Sequence, residues 1–526
     1  MLIDARSLSK DHRIETEVCI VGAGAAGVTL AREFIGQPFR ICLLESGGLE
    51  LDRETQSLYQ GERTGHPYFP LDMARLRYFG GSTNHWEGWC RPLDEIDFET
   101  REYLPYSGWP FDRSHLDPFY GRAQTICQLG PFVYDADAWK LDASPPLPFI
   151  GDRIITTIYQ FSPPTRFGKV YRDEIARAGN TTTFLYANVV DMETTETGQT
   201  VTRLRVACLD GNKFWVSAKL FILAAGGIEN PRLLLLSNKV QSAGLGNQHD
   251  LVGRFFMEHP HLVSGLFLPS HPASSTDLYR RPHNTEKKVS VLGALTLSAK
   301  ALRREQLTNF SAILVPPRSW SQVSKGVASF KRLLSEFRRG SVPEDFVKHL
   351  KNVIVDLDDV AIASYRQFYK SEYPLATWLA LENRSEQVPN PDSRVTLTAE
   401  RDRLGKNRVR LDWRLSSSDK RSIRRGHEII GEELGRAGLG RLRVVVDDND
   451  SVWDSTMVGG FHHMGTTRMH VDPQQGVVDA NCRVHSMSNL FIAGSSVFPT
   501  SGYANPTLTI VALAVRLADH VKRIMT

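Results

Sequence analysis

Cysteine is scarce in this chain, with six residues among 526 and no CxxC pair. That excludes a disulfide scaffold and a cysteine-ligated zinc centre. Cys19 and Cys42 lie in apolar runs of strand character and read as small core residues. No apolar run approaches the roughly 20 residues of a membrane span, so no integral membrane segment is expected. Met1 to Arg13 lacks the apolar core of a secretory signal, and a cytoplasmic location is the expectation. The net charge of +4 is too small for the length to point to nucleic acid. Metal-ligand spacings, a GxSxG elbow, internal repeats and low-complexity tracts are all missing.

What is present is a globular composition, 41% hydrophobic and 23% charged. The length calls for more than one domain. Glu17 to Val21 reads as a buried strand, Ala25 to Ile35 as a helix and Arg40 to Leu44 as a second strand, which together make a β-α-β unit. The Gly, Ser, Thr and Asn near the end of residues 71–90 read as a loop. Residues 100–150, rich in Pro and aromatics, read as irregular. Thr181 to Leu209 alternates like a β-meander, and Phe221 to Ala225 is another buried strand. Strand-like runs at Leu292–Leu297, Val395–Leu397 and Val409–Trp413 alternate with helical ones. Residues 325–370 carry two or three amphipathic helices. The chain returns to strand and helix at Leu490–Ala493 and Pro506–Lys522. The expected fold class is α/β, or α+β overall: a Rossmann-like domain from residues 1–255 and 455–526, with a domain on an antiparallel sheet inserted at 256–454.

Gly22-Ala23-Gly24-Ala25-Ala26-Gly27 is GxGxxG between a strand and a helix. Gly22 permits the tight turn, Gly24 lets backbone N–H groups approach a pyrophosphate, and Gly27 lets helix and strand pack closely. Glu45 ends the second strand, where a carboxylate accepts from ribose hydroxyls. This motif does not separate NAD from FAD. Two later segments lean to FAD: Leu223 to Pro231, with Ala224-Ala225-Gly226-Gly227, and Leu490 to Ser496, with Ala493-Gly494-Ser495-Ser496. Small residues after buried strands let backbone approach a large cofactor.

Further motifs are Gly80-Gly81-Ser82-Thr83-Asn84-His85-Trp86, Val252-Gly253-Arg254-Phe255, Pro389 to Val395, and a block from His462 to Thr509. Taken together, the chain resembles the glucose–methanol–choline (GMC) flavoenzymes, closest in motifs to pyranose oxidases and bacterial glycoside dehydrogenases. The resemblance spans almost the whole chain and is weakest over residues 270–380. It implies FAD as cofactor and oxidation of an alcohol, a secondary hydroxyl of a sugar or glycoside, to a carbonyl. By the register of His462-His463-Met464-Gly465-Thr466, it implies His462 as the base that takes the hydroxyl proton while hydride passes to flavin N5. Asn505 becomes the partner that holds the alkoxide; as a residue before Pro506 it also reads as a turn residue or helix cap. His463 reads as a supporting residue.

For the cofactor, the resemblance implies contacts at Gly22, Gly24, Ala25, Ala26, Gly27, Glu45, Gly81, Ser82, Asn84, His85, Val190, Ala225, Gly494, Asn505 and Thr507. His85 has two readings: a covalent link to the flavin, or a loop residue at its edge. Glu386 and Gln387, before Pro389, either reach sugar hydroxyls or cap a turn; Gln387 joins His462 and Asn505 as an expected substrate contact. Glu258-His259-Pro260 reads as structural. The basic stretch of Lys325, Lys331, Arg332, Arg338 and Arg339 is either a solvated helix face or a docking surface. The expected partners are a small alcohol or sugar and an electron acceptor: oxygen, a quinone or a redox protein. Alternatives to net alcohol oxidation are a lyase, a photoenzyme or a non-catalytic flavoprotein on the same fold.

Overall fold

Val18–Val21 and Ile41–Leu44 are apolar at every position and buried at every position. Strands covered on both faces read this way, and they form the centre of a parallel sheet. The computed structural model describes residues 1–139, 141, 144–270, 273–316, 325–338, 343, 345–355, 378–447, 453 and 457–525. In it the sheet has six parallel strands, in the order Leu2–Asp4, Thr181–Leu185, Ile41–Leu44, Val18–Val21, Leu220–Leu223 and Leu490–Ile492. The helix Ala25–Glu33 joins its two central strands. The helix Thr507–Met525 packs on that helix and on Arg113–Ile126. All six cysteines are free and buried, with Cys19 beside Cys42 in adjacent strands.

A second sheet has nine strands, all antiparallel. Its main order is Gly440–Val444, Pro260–Pro269, Leu379–Ser385, Phe310–Val315, Ser290–Leu297, Ile154–Phe161 and Trp89–Cys90. Two of these strands come from within residues 1–255. So does Gly61–Gly65, which pairs with Asn407–Trp413 in a three-stranded sheet. The chain therefore interleaves more closely than boundaries at 255 and 455 convey.

Two local expectations are corrected. Residues 100–150 are not irregular throughout: Arg113–Ile126 is a helix despite Pro118 inside it. Asp112 caps it by accepting from the His115 N–H, and Leu116, Tyr120 and Ala123 bury its inner face. Thr181 to Leu209 is not one meander. Thr181–Leu185 joins the parallel sheet, and Asn188–Thr194 and Val201–Ala207 join Lys213–Ser217 and His12–Glu15 in a four-stranded sheet. Helices occupy Lys325–Arg338 and Phe346–Val355; Arg339 and residues 356–370 lie outside the described residues. Among the described residues no helix is long and apolar enough to cross a membrane, and no His/Cys/Asp/Glu group could hold a metal ion.

Candidate active site

The carboxyl ends of the parallel strands open into one cavity of about 680 Å³, lined by Val21, Leu44, Ala224 and Gly494 among others. Ligands in open α/β sheets bind at that edge. Gly22, at φ +101°, turns the chain so tightly that a side chain there would strike the Ala224 carbonyl. Gly27 packs against the Gly22 carbonyl with no room for a Cβ. Gly24, Gly226 and Gly494 line the cavity, and a Cβ on any of them would meet no atom within 4 Å. The wall is therefore bare backbone facing open space. The helices Ala25–Glu33, Gly226–Leu236 and Thr507–Met525 all begin there, and helix N-termini favour anions. These features fit a dinucleotide such as FAD.

Glu45 is buried on the same wall, and its two oxygens accept from the N–H groups of Ala23 and Gly47, each at 2.8 Å. It ties the glycine turn to the end of the next strand. Ala25, Ala26, Gly81, Ser82, His85, Ala225, Asn505 and Thr507 also line the cavity. The Gly80 N–H donates to the Ala23 carbonyl at 2.8 Å, fixing the 80–86 loop against the turn. His85 is exposed, with Nε2 3.0 Å from the Tyr78 hydroxyl.

Four expected contacts are corrected, the first being Gly27, which is not on the cavity wall and serves the packing of helix on turn. Asn84 does not line the cavity; its Nδ2 donates to the Phe79 carbonyl and shapes the loop from within. Val190 is absent from the wall while Val189 lines it, because successive strand residues face opposite ways. Gln387 is fully buried away from the cavity. Its Oε1 accepts from the Glu258 N–H and from Trp413 Nε1, and its Nε2 donates to the Arg414 carbonyl. Its neighbour Glu386 is likewise spent on a buried pair with Arg101. Held behind the wall by these bonds, the Gln387 amide does not face the cavity where a sugar would lie.

At the other end of the cavity His462 and Asn505, distant in sequence, meet: Asn505 Nδ2 lies 3.2 Å from His462 Nε2. The His462 backbone N–H donates to Glu258 Oε1 at 2.5 Å. Its Nδ1 lies 2.9 Å from Nδ1 of His259. His259 Nε2 lies 3.3 Å from the Ser501 carbonyl, which can only accept. That contact assigns the hydrogen of neutral His259 to Nε2 and leaves its Nδ1 an acceptor. The shared hydrogen then belongs to His462 Nδ1, so His462 Nε2 carries the lone pair and accepts from Asn505 Nδ2. Burial holds the His462 imidazole well below its ordinary proton affinity, and His259, His261 and Arg384 push the same way. His259 is lowered to about 4, chiefly by burial.

Glu258 and His259, expected to be structural, stand directly behind the His462 ring, and His261 is a wall residue that the sequence motifs do not single out. The spacing of two between His259 and His261, entering the strand Pro260–Pro269, was the available signal, since alternate strand residues share a face. His261 pairs across the sheet with Arg384, and both line the cavity. Gly460 admits the rings: a Cβ there would come within 2.8 Å of His462 Nδ1 and 3.0 Å of His261 Nε2. Glu258 is a hub that accepts from Tyr68 as well, and burial raises its carboxyl to about 7. His463 is buried, with Nε2 2.9 Å from the Tyr68 hydroxyl. Three buried polar atoms at this end lack a hydrogen-bond partner among the described residues: Asn505 Oδ1, His261 Nε2 and Arg384 Nε.

Residues 389–514 match the family described as GMC oxidoreductase. The chain is similar to the 2-methyl-1,2-propanediol dehydrogenase of Mycolicibacterium austroafricanum, 23% identical over 97% of this chain and 95% of that protein. It is similar to the fructose dehydrogenase large subunit of Gluconobacter japonicus, 22% identical over 97% and 98%. Among solved structures it resembles pyridoxine 4-oxidase from Mesorbium loti, with a TM-score of 0.56 and 18% identity over 96% of this chain and 98% of that one.

Proposed function

This chain is a GMC oxidoreductase, an enzyme that binds FAD and oxidises alcohols, and from that premise we propose that it oxidises a secondary hydroxyl of a sugar or glycoside with His462 as base. The observation that carries this reading is the 3.2 Å approach of His462 Nε2 to Asn505 Nδ2 on the cavity wall. A hydroxyl oxygen set against both atoms, in place of the contact they make with each other, meets a lone pair and an N–H donor together. His462 Nε2 takes the hydroxyl proton, and Asn505 Nδ2 donates to the oxygen as charge develops on it. His259 keeps the His462 lone pair on the substrate side. FAD, when bound, supplies the acceptor for the hydride.

The residues that hold FAD in this reading are Gly22, Gly24, Ala25 and Ala26 of the turn and helix start, Glu45, Gly81 and Ser82, Ala225, Gly494 and Thr507. His85 is read as a loop residue at the flavin edge. The sugar assignment rests on the three unpartnered polar atoms, which suit a ligand rich in hydroxyls because buried polar groups want partners. Fructose in the name of one relative supports the same class.

Anaerobic mixing of the purified yellow protein with sugars, glycosides and simple alcohols tests the reading. Bleaching of the flavin by sugars or glycosides is expected. Bleaching by simple alcohols alone contradicts the sugar assignment, and bleaching by none of them contradicts alcohol oxidation by this site.

A further inference from the structure

Resting on the sugar reading and narrowing it, we propose that the substrate carries an anionic oxyacid group, a carboxylate or a phosphate, held by Arg384. Arg384 lies in the strand Leu379–Ser385, is 8% exposed, and lines the cavity. Its guanidinium stacks 3.8 Å over the ring of Trp89, another wall residue. Trp89 is itself held by donating Nε1 to Glu87 Oε2 at 3.1 Å. Stacking occupies the face of the guanidinium and leaves its edge of N–H donors for acceptors in the plane.

That edge is poorly satisfied. Arg384 Nε has no partner among the described residues. One terminal nitrogen reaches Glu382 Oε1 at 3.4 Å, a long contact to a carboxylate that is 31% exposed. The acids on the cavity wall are engaged elsewhere. Glu45 holds the glycine turn, Glu87 accepts from Trp89, and Glu229 pairs with Arg75, Arg77 and Arg232.

A buried imidazole escapes the cost of burial by losing its proton, as His259, His261 and His462 do. A guanidinium cannot. Among the described residues the catalytic end of the cavity thus holds neutral rings and one fixed positive charge. A buried charge without a good partner is costly, and a planar oxyacid group is the ligand whose paired oxygens match the fork. Arg384 and His261 are cross-strand neighbours, and the His261 and His462 rings lie 6.2 Å apart. One small molecule can therefore reach both the guanidinium and the base.

The test uses the FAD-loaded enzyme in anaerobic stopped-flow, where the apparent Kd separates from the rate of flavin reduction. Two matched pairs are compared: methyl glucuronoside against methyl glucoside, and glucose 6-phosphate against glucose. The expected result is a Kd about 10- to 100-fold tighter for the anionic member of at least one pair. A preference confined to the first pair identifies a carboxylate, and one confined to the second a phosphate. Arg384→Gln should erase the preference by weakening the anionic member about 10- to 100-fold more than the neutral one, and Arg384→Lys should keep part of it. Neutral members binding as well as anionic ones in the wild type overturn the inference and leave the sugar reading standing; this comparison needs no variant. Equal losses for both members in Arg384→Gln, with an altered flavin spectrum, also overturn it, because the guanidinium then serves the cofactor. Bleaching by simple alcohols and by none of the four sugars overturns both readings.

Discussion

His259 sets the proton register of His462: their Nδ1 atoms lie 2.9 Å apart, and the Ser501 carbonyl behind His259 decides which ring donates. His259 touches the base and not the reacting atoms, so it acts as a positioning residue. In His259→Leu the His462 ring loses its acceptor and both tautomers become accessible. Flavin reduction should slow by about 10- to 100-fold, the usual worth of a residue that orients another, with little change in substrate Kd. His259→Asn places an amide oxygen near the lost Nδ1 and should recover much of the rate. Equal rates in the two variants would show that the residue only fills space.

His462→Ala should keep FAD and fold, because the ring is half-buried on a cavity wall. Stopped-flow reduction by substrate should slow by about 10²–10⁴-fold, and Asn505→Ala by a smaller factor. His463→Ala should affect the rate less and the Tm more, because it empties a buried site and leaves the Tyr68 hydroxyl short of a partner. A larger rate loss in His463→Ala than in His462→Ala would reverse the assignment within the pair.

Gln387→Ala should lower the Tm and leave discrimination among sugars unchanged. The substitution strands two buried donors, the Glu258 N–H and Trp413 Nε1, at about 1–3 kcal/mol each. A changed order of preference among sugars, with the Tm intact, would return Gln387 to the substrate site.

The parts of this molecule that sequence conveyed share a physical cause. Val18–Val21, Ile41–Leu44 and all but the first residue of Leu220–Leu223 are buried, so their apolar runs are continuous, and Gly22 and Gly27 between the first two have sterically forced roles. His462 and Asn505 were legible because each stands in a dense local motif. Gln387 misled because a polar pair before a strand looks alike whether it meets a ligand or backbone donors. His259 reads only as structural in the sequence, and His261 and Arg384 stay hidden because what unites them is sheet register: His261 meets Arg384 only when Pro260–Pro269 pairs with Leu379–Ser385. Local spacing carries no trace of a pairing between such distant strands. Asn84 and Val190 fell one step from the wall, where a single residue decides which face a side chain takes.

The pH dependence separates the chemistry from the fold. Burial lowers His259 and His427 to about 4 and His463 to about 3, against an ordinary value of 6.5. Between those values the unfolded chain binds more protons than the folded one. Their contribution to stability is therefore full above about pH 6.5 and is lost as pH falls through 4 and then 3. Glu258, raised to about 7 from 4.5, works in the opposite sense, and its contribution fades as pH rises through 7. Asp97, raised to about 8, and Asp419, raised to about 6, act with Glu258, but His261 and His462 are lowered as well and outweigh them together with the three histidines. Melts followed by circular dichroism should therefore show the Tm climbing from pH 4 to 6.5, and more gently in His463→Ala. His462 is lowered too, so its lone pair stays available well below pH 6.5. Flavin reduction should then stay level from about pH 8 down to 6.5 and fall only at more acid pH, in a range where the protein is still folded at assay temperature. A rate that already halves near pH 7, with the Tm unchanged, would mean that the base is an imidazole of ordinary proton affinity and not His462.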